Sequence, residues 1–540
     1  MSRSKSAKQL RLCSRKRKQS SVSRQTVLKQ GLPQFLIRAK AAAEAGEIPQ
    51  AINILTEAAE YLTKNLSLDS NDVEHWRLFG VHLVTMGEMY RGVELLQKSI
   101  EAMPWNAAIL SYHLYSLHHL PDISIERLLE EHKRWGQLHA PANLTKISHN
   151  NNPDPDRRLR VGYISADFRH HPVPKFFESL LDGHNREIVE VYGYANVKSP
   201  DEMTQYLKPK FDYYRNIVDM DDRSVIDMIE QDKIDILVDL AGHTDNNRLG
   251  VLARKPAPIQ VTYLGYAGTT GLEQIDYRFT DVLSEPAHSQ DFHTEELIFL
   301  PEGFLCYRPP ALCPALTLPP VMRKGYITFS SFNNNSKVNL DMMTLWAEVL
   351  KANEGSHLLM KFQRADEQKV RDHYYKQFER LGIDRARVEI HGWKTFVEHM
   401  QLYSEVDIAL DVYPYNGTTT TCEALWMGIP VISLVGERHV SRVGLSLLSR
   451  VGMEFFACSA GDEYIAKATA LAKKPESLAK IRASMRARMF ETLCNCEKFA
   501  KHVEQAYREM WHKWCRSQGV EVQGDSMEIE RDMAKVTVLK

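Results

Sequence analysis

The 540-residue chain lacks any stretch of about 18 apolar residues, and no apolar run near its start is long enough for a secretory signal. A soluble protein outside the secretory route is therefore expected. Cysteine is sparse: Cys13, Cys306, Cys313, Cys422, Cys458, Cys494, Cys496 and Cys515 make the whole set. None forms a CxxC pair or has a histidine at zinc-finger spacing, and Cys494 with Cys496 is a lone CxC. That argues against a disulfide scaffold or zinc module and for reduced thiols in a cytoplasmic compartment. The commonest nucleotide signatures are missing too, since there is no GxxxxGK[ST] loop and no GxGxxG after the first strand of the α/β region.

Net charge is also lacking, at −1, but the balance hides an asymmetry. The first thirty residues hold ten Lys/Arg and no Asp/Glu, leaving 58 basic against 69 acidic residues in the remainder. The cluster "SRKRK" at 14–18 leaves a nuclear address open, although a short disordered basic arm is the simpler reading. No aromatic-rich basic face accompanies it, so a nucleic-acid partner is not expected.

What is present is ordinary globular composition, 44% apolar and 25% charged, in a chain too long for one core. After a basic tail (1–33), residues 34–148 read as helical. "FLIRAKAAAEAGEIPQAINILTEAAEYL" and "HWRLFGVHLVTMGEMYRGVELLQKSIEAMPWNAAIL" resemble each other. In each a first helix ends near a glycine (Gly46, Gly87) and a second carries small and apolar residues (Ala51, Ile54, Leu55, Ala58; Gly92, Leu95, Leu96, Ser99). With Trp76 and Pro104 they fit two or three tetratricopeptide-like repeats. Such repeats serve as a cap on the next domain or as a groove for protein substrates.

Beyond the polar linker 149–158 the texture changes to short apolar runs alternating with helical segments. Strands are expected at 159–165, 189–195, 234–240 and 259–266, with helices near 201–209 and 221–232. A proline-rich linker (307–325) precedes a second set of strands at 326–332, 357–362, 388–393, 407–414 and 431–436, with helices at about 340–352, 365–381 and 395–404. The runs are apolar on both faces, as buried parallel sheets require. The reading is two doubly wound α/β lobes, 157–317 and 322–516, with a terminal helix at about 497–516 and a loose tail at 517–540. Ligands of such lobes bind outside the carboxyl ends of the strands.

In the second lobe four threonines, Thr418 to Thr421, follow "DIALDVYP" and open the helix "TCEALWMG", which Gly428 and Pro430 stop. A single threonine there would be a helix cap. Four, after Gly417, suggest a phosphate cradle in which hydroxyls and unpaired helix N–H groups face an anion. Glu423, placed in the first turn, would either offset the helix dipole or hold a ribose. Lys337, after the strand at 326–332, is the candidate counter-charge. In the first lobe, Asp167, His170 and His171 leave the first strand, and His243 and Thr244 follow another. A histidine at such an edge can act on a reacting hydroxyl.

Four stretches carry a resemblance: "LRVGYISADFRHHPV", "DILVDLAGHTDNNRLGVLARKPAPIQVTYLGYAGTTGLEQIDYRFTD", "FSSFNNNSKVN" and "YPYNGTTTTCEALWMGIPVISLVGERHVSRVGLSLL". In order and spacing they resemble the catalytic region of the O-GlcNAc transferase and SPINDLY family, over residues of about 157–515. The resemblance implies a GT-B fold and inverting, metal-independent transfer of a sugar from a nucleotide sugar to Ser or Thr of intracellular proteins. The implied donor is UDP-GlcNAc by default, and no cofactor or membrane is involved. Carried over, Lys337 would grip the diphosphate, Thr419 and Thr420 the phosphate oxygens, Glu423 the ribose, and His399 the base. His171 matches a histidine near the acceptor hydroxyl, and Arg442 matches an arginine of structural role.

The chain departs from O-GlcNAc transferase at Thr418, where that enzyme has His, at Glu423, where it has Asp, and at Val173, Pro174 and Lys175. The first two differences lean towards SPINDLY-like members, some of which use GDP-fucose. An Asn or glycan acceptor, and a silent tetratricopeptide adaptor, are the competing readings.

Overall fold

The computed structural model describes residues 35, 37–39, 41–42, 50–51, 54–55, 57 and 70–522, apart from 86, 142–147 and 363–364. The basic tail, most of the first helical repeat and 523–540 lie outside the described residues. The chain forms two compact units, each discontinuous. One joins the described residues up to Ile123 with Leu312–Glu437 and Phe455–Arg486; the other joins Ser124–Ala311 with Arg438–Glu454 and the described residues from Ala487.

The unit beginning at Ser124 is built on β1 (Leu159–Ser165), β2 (Val189–Ala195), β3 (Tyr213–Asn216), β4 (Ile236–Asp239), β5 (Ile259–Thr262), β6 (Tyr277–Thr280) and β7 (Glu296–Phe299). They form one sheet in the order β3-β2-β1-β4-β5-β6-β7, parallel throughout. Val161 pairs with Val191 on one side and with Ile236 on the other, and all three are fully buried. Each such side chain contributes about 1.5–3 kcal/mol of burial. The 22-residue helix Cys496–Ser517 closes this unit against the helix Pro174–Gly183. A Cβ on Gly183 would stand 2.5 Å from the Cys496 carbonyl oxygen, so the contact needs glycine. The helix Ile125–His139 docks as closely, with a Cβ on Gly136 falling 2.1 Å from the Gly271 carbonyl oxygen.

The other unit carries β8 (Thr328–Ser331), β9 (His357–Lys361), β10 (Val388–His391), β11 (Ile408–Leu410), β12 (Val431–Leu434) and β13 (Ala457–Cys458). Their order is β10-β9-β8-β11-β12-β13, again parallel. The helices Ser70–Thr85, Met89–Ala102 and Ala107–Leu117 belong to this unit. The first two pack glycine to glycine, since a Cβ on Gly92 would meet the Gly80 carbonyl oxygen at 2.8 Å. Gly87 turns the chain between them at φ +86°, where a side chain would be strained.

The apolar runs locate, to within a few residues, nine of the thirteen strands among the described residues. The four others were not singled out. β3 is partly exposed, β7 is a short edge, β13 has two residues, and β6 buries Arg278 among its apolar residues. That guanidinium donates to the carbonyls of Tyr266 (3.0 Å) and Gly268 (2.8 Å), which is how a charge sits inside the sheet. Among the described residues no helix is long and apolar enough to cross a membrane.

Candidate active site

Strand order in each sheet reverses once, between β1 and β4 and between β8 and β11. At such a point the loops leaving neighbouring strands diverge to opposite faces and open a crevice. Most loop residues singled out from the sequence leave one of these four strands: His171 after β1, His243 and Thr244 after β4, Lys337 after β8, and the threonines after β11; Arg442 follows β12.

In the unit carrying β8 and β11, Asp411 organises the Gly417 loop. Its buried carboxylate accepts from the N–H groups of Val412 and Gly417, both at 2.8 Å, and from Ser433 Oγ at 2.7 Å. Burial pushes its pKa up against these bonds and the nearby Lys337. The loop is thereby fixed so that the helix starts at Thr419, with no side chain capping it. Its first N–H groups carry the positive end of the helix dipole with no internal partner. Thr420 Oγ1 donates to Asn333 Oδ1 (2.9 Å), and Thr421 Oγ1 donates to the Gly417 carbonyl (2.8 Å). Thr421 is therefore engaged in closing the turn, whereas Thr419 and Thr420 are half-buried at the helix start.

Lys337 reaches this loop. Its ammonium donates to the Asn416 carbonyl (3.0 Å) and sits 3.9 Å from the centroid of the Tyr415 ring. Burial lowers its pKa to about 8, with Asp411 opposing the shift. A cation and an uncapped helix N-terminus therefore meet one loop.

Glu423 is the fifth residue of the helix, and no acidic residue lies in its first turn. The dipole-compensation reading of Glu423 is thus overturned. Its carboxylate, 2% exposed, is instead 3.0 Å from Nε2 of His399. His399, 7% exposed, is ringed by Phe332 (5.7 Å) and Tyr403 (5.2 Å), and its buried Nδ1 has no hydrogen-bond partner among the described residues. The two residues assigned to ribose and base thus form one buried pair.

In the other unit, the β1 loop holds Asp167 and His171 together. Asp167 is buried and its carboxyl is pushed up to about 6 by burial, with Arg169 working against the shift and Asp245 adding to it. His171 Nδ1 lies 3.6 Å from it and accepts from the Val173 N–H at 3.4 Å. Burial, aided by Arg169, lowers the His171 pKa to about 4, so the ring is neutral at pH 7 and Nε2 is the nitrogen left to face a ligand. His170 is exposed, and its N–H donates to Asp201 at 2.7 Å.

His243 does not join that group. It lies at 1% exposure in an aromatic packet with His132, Trp135 and Tyr266, its Nε2 2.8 Å from the Thr270 carbonyl oxygen. Thr244 Oγ1 donates to the Ala241 carbonyl (2.8 Å) and closes its own turn. Arg442 Nε donates to the Leu283 carbonyl at 2.9 Å. Among the described residues no group of three or more His, Cys, Asp or Glu is placed to hold a metal ion.

Asp411, Asn333 and Tyr415 were not singled out from the sequence. Asp411 reads there as part of the strand 407–414, and Tyr415 stands just after it. Asn333 stands in the run of three asparagines before Lys337, which was a usable signal.

Residues 137–322 and 318–503 match the model of glycosyl transferase family 41. The chain belongs to that family. Among curated relatives of this family 41 chain, a probable UDP-N-acetylglucosamine–peptide N-acetylglucosaminyltransferase SPINDLY of Hordeum vulgare is 38% identical over 408 residues, 74% of this chain and 43% of that protein. The corresponding probable enzyme SEC of Arabidopsis thaliana is 31% identical over 375 residues, 67% of this chain and 38% of that protein. The chain therefore spans less than half the length of these relatives. A solved mutant of the Thermobaculum terrenum O-GlcNAc transferase superposes with a TM-score of 0.79 at 28% identity, covering 90% of this chain and 98% of that one. Two parallel-sheet lobes with a helical segment before them make this a GT-B fold, as the sequence reading expected.

Proposed function

We propose that this family 41 protein transfers a sugar from a nucleotide sugar to Ser or Thr hydroxyls of protein substrates, with inversion. The observation that carries the reading is Lys337 and the uncapped start of Thr419–Trp426 meeting the Gly417 loop. In the proposed step the acceptor oxygen attacks the anomeric carbon as the bond from that carbon to the diphosphate breaks, and the hydroxyl proton passes to water or to the departing diphosphate. The chain's part is positioning and charge: Lys337, the first helix N–H groups, Thr419 and Thr420 take the charge growing on the departing diphosphate. Glu423 holds the ribose and His399 the base, each fixed by the other. His171 orients the acceptor hydroxyl through Nε2, its other nitrogen being turned to Val173 and Asp167.

The donor assigned first is UDP-GlcNAc, the substrate in the names of the curated relatives. GDP-fucose is the second reading, favoured by Thr418 and Glu423 where O-GlcNAc transferase has His and Asp. No metal or cofactor is assigned. The protein is placed in the cytoplasm, with a nuclear address left to the basic cluster at 14–18.

The test is a thermal-shift and hydrolysis screen against UDP-GlcNAc, GDP-fucose and UDP-glucose, with Lys337→Met alongside. One donor stabilising the wild type and being turned over fixes reaction class and sugar, and mass spectrometry of modified peptides then gives the acceptor side chain. If none shifts the melting temperature, the adaptor reading takes its place.

A further inference from the structure

Lys337 is braced from two directions by helices that precede the α/β lobe in the chain. The turn that carries it, Asn335–Lys337, is tied to the end of the helix Ser70–Thr85, where Asn335 Nδ2 donates to the Thr85 carbonyl at 3.1 Å. Tyr415, the ring beneath its ammonium, is met on the helical side by His119 (centroids 4.9 Å apart) and Tyr115 (6.3 Å). His119 is itself buried, with its ring 5.1 Å from that of Tyr115. Asp411 and Asn416 fix the backbone of the Gly417 loop, the latter donating to the carbonyls of Val412 (2.9 Å) and Leu434 (3.2 Å). What the ring supplies is a face for a cation and an edge for the helices.

We infer that Tyr415 is a positioning residue for Lys337 and that His119 and Tyr115, by holding its ring, make the helical repeats a structural part of the diphosphate site. The inference rests on the donor reading of Lys337. It gives the helical segment a role distinct from substrate capture: a ring displaced by movement of His119 would take with it the surface against which the ammonium is aligned. Cation–ring contacts of this kind are worth a few-fold in affinity when exposed and about thirtyfold when desolvated.

The test is titration calorimetry of UDP and GDP into the full chain between pH 6.5 and 9, for wild type, Lys337→Met, Tyr415→Leu, Tyr415→Phe and His119→Ala. Tyr415→Leu is expected to weaken the bound diphosphate about tenfold and to move the alkaline loss of affinity to lower pH, because the ring favours the charged amine. Tyr415→Phe, which keeps the ring, restores both, and His119→Ala weakens binding by about threefold without altering any donor residue. Binding that Lys337→Met abolishes but Tyr415→Leu leaves unchanged at every pH overturns this inference and leaves the donor reading standing. Failure of the wild type to bind either diphosphate removes the donor reading and this inference with it. If Tyr415→Leu does not fold, His119→Ala decides alone, and an unchanged affinity and pH profile there overturns the inference.

Discussion

Lys337 shows what the proposed donor site costs the free protein. Burial disfavours its charged form, so its pKa of about 8 lies below the 10.5 of an unhindered lysine. Between those values the unfolded chain binds the proton and the folded chain does not. This residue's contribution to stability therefore rises from pH 8 to 10.5, and at pH 7 the cost is fully present. Lys337→Met should leave the melting temperature of the free protein at pH 7 unchanged or raised, while removing the shift produced by the donor. A melting curve with and without nucleotide sugar reads both effects, and a large loss in the free protein would mean that the lysine is structural. Glu423 behaves oppositely, because its buried carboxylate is satisfied by His399. Glu423→Ala should cost about 1.5–3 kcal/mol in denaturant unfolding, and Glu423→Gln, which still accepts from His399, clearly less. At this scale the sequence named both residues but not their pairing, since Nε2 of His399 and the carboxylate lie 24 residues apart and only the packing of two helices joins them.

At the scale of elements, the proposed phosphate loop is a backbone device. Gly417 has no room for a side chain: a Cβ there would stand 2.4 Å from Thr420 Oγ1, 2.7 Å from Asn333 Oδ1 and 3.0 Å from Asp411 Oδ1. Gly417→Ala must push Thr420 off Asn333 and the helix start off its seat. The expected result is an overpacking loss of about 1–3 kcal/mol together with loss of the donor-induced shift. A variant that keeps its donor response would show that the loop adapts and that its geometry is not the cradle. Elements with continuous apolar runs and clear stops were legible in advance, including the helix ended by Gly428 at φ +74°. The start of that helix was legible as well, but the residues that hold it were not. Asp411 looks like the end of a buried strand, and its role appears only when Gly417 and Ser433 fold back onto it. β6 was missed for a related reason, because a buried Arg278 breaks the pattern that apolar counting relies on.

At the scale of the molecule, the chain crosses between its two units five times, and the returning segments must be sewn into place. Residues 438–454 rejoin the unit of the seven-stranded sheet through a buried acid. Glu285, 1% exposed, lies 3.2 Å from His293 Nε2 and 3.1 Å from His439 Nδ1, while Ser446 Oγ donates to Asp281 at 2.6 Å. Burial would raise the Glu285 pKa, but the two imidazoles outweigh it and hold the carboxyl well below the usual range. Burial also opposes charge on His293, yet Glu285 raises its pKa; His439 is lowered by burial, so His293 carries the charge. The carboxylate's contribution to stability is present above its unfolded pKa of about 4.5 and lost as pH falls through the folded value. That of His293 is complete below about 6.5 and lost as pH rises through its raised value. Glu285→Ala, which leaves a buried imidazolium without its partner, should cost about 3–5 kcal/mol in denaturant unfolding. Its deficit against wild type should be widest between about pH 4.5 and 6.5 and narrow on both sides. A deficit that does not change with pH would show that the three side chains pack as neutral groups, and that the returning segment is held by Asp281 and its apolar contacts.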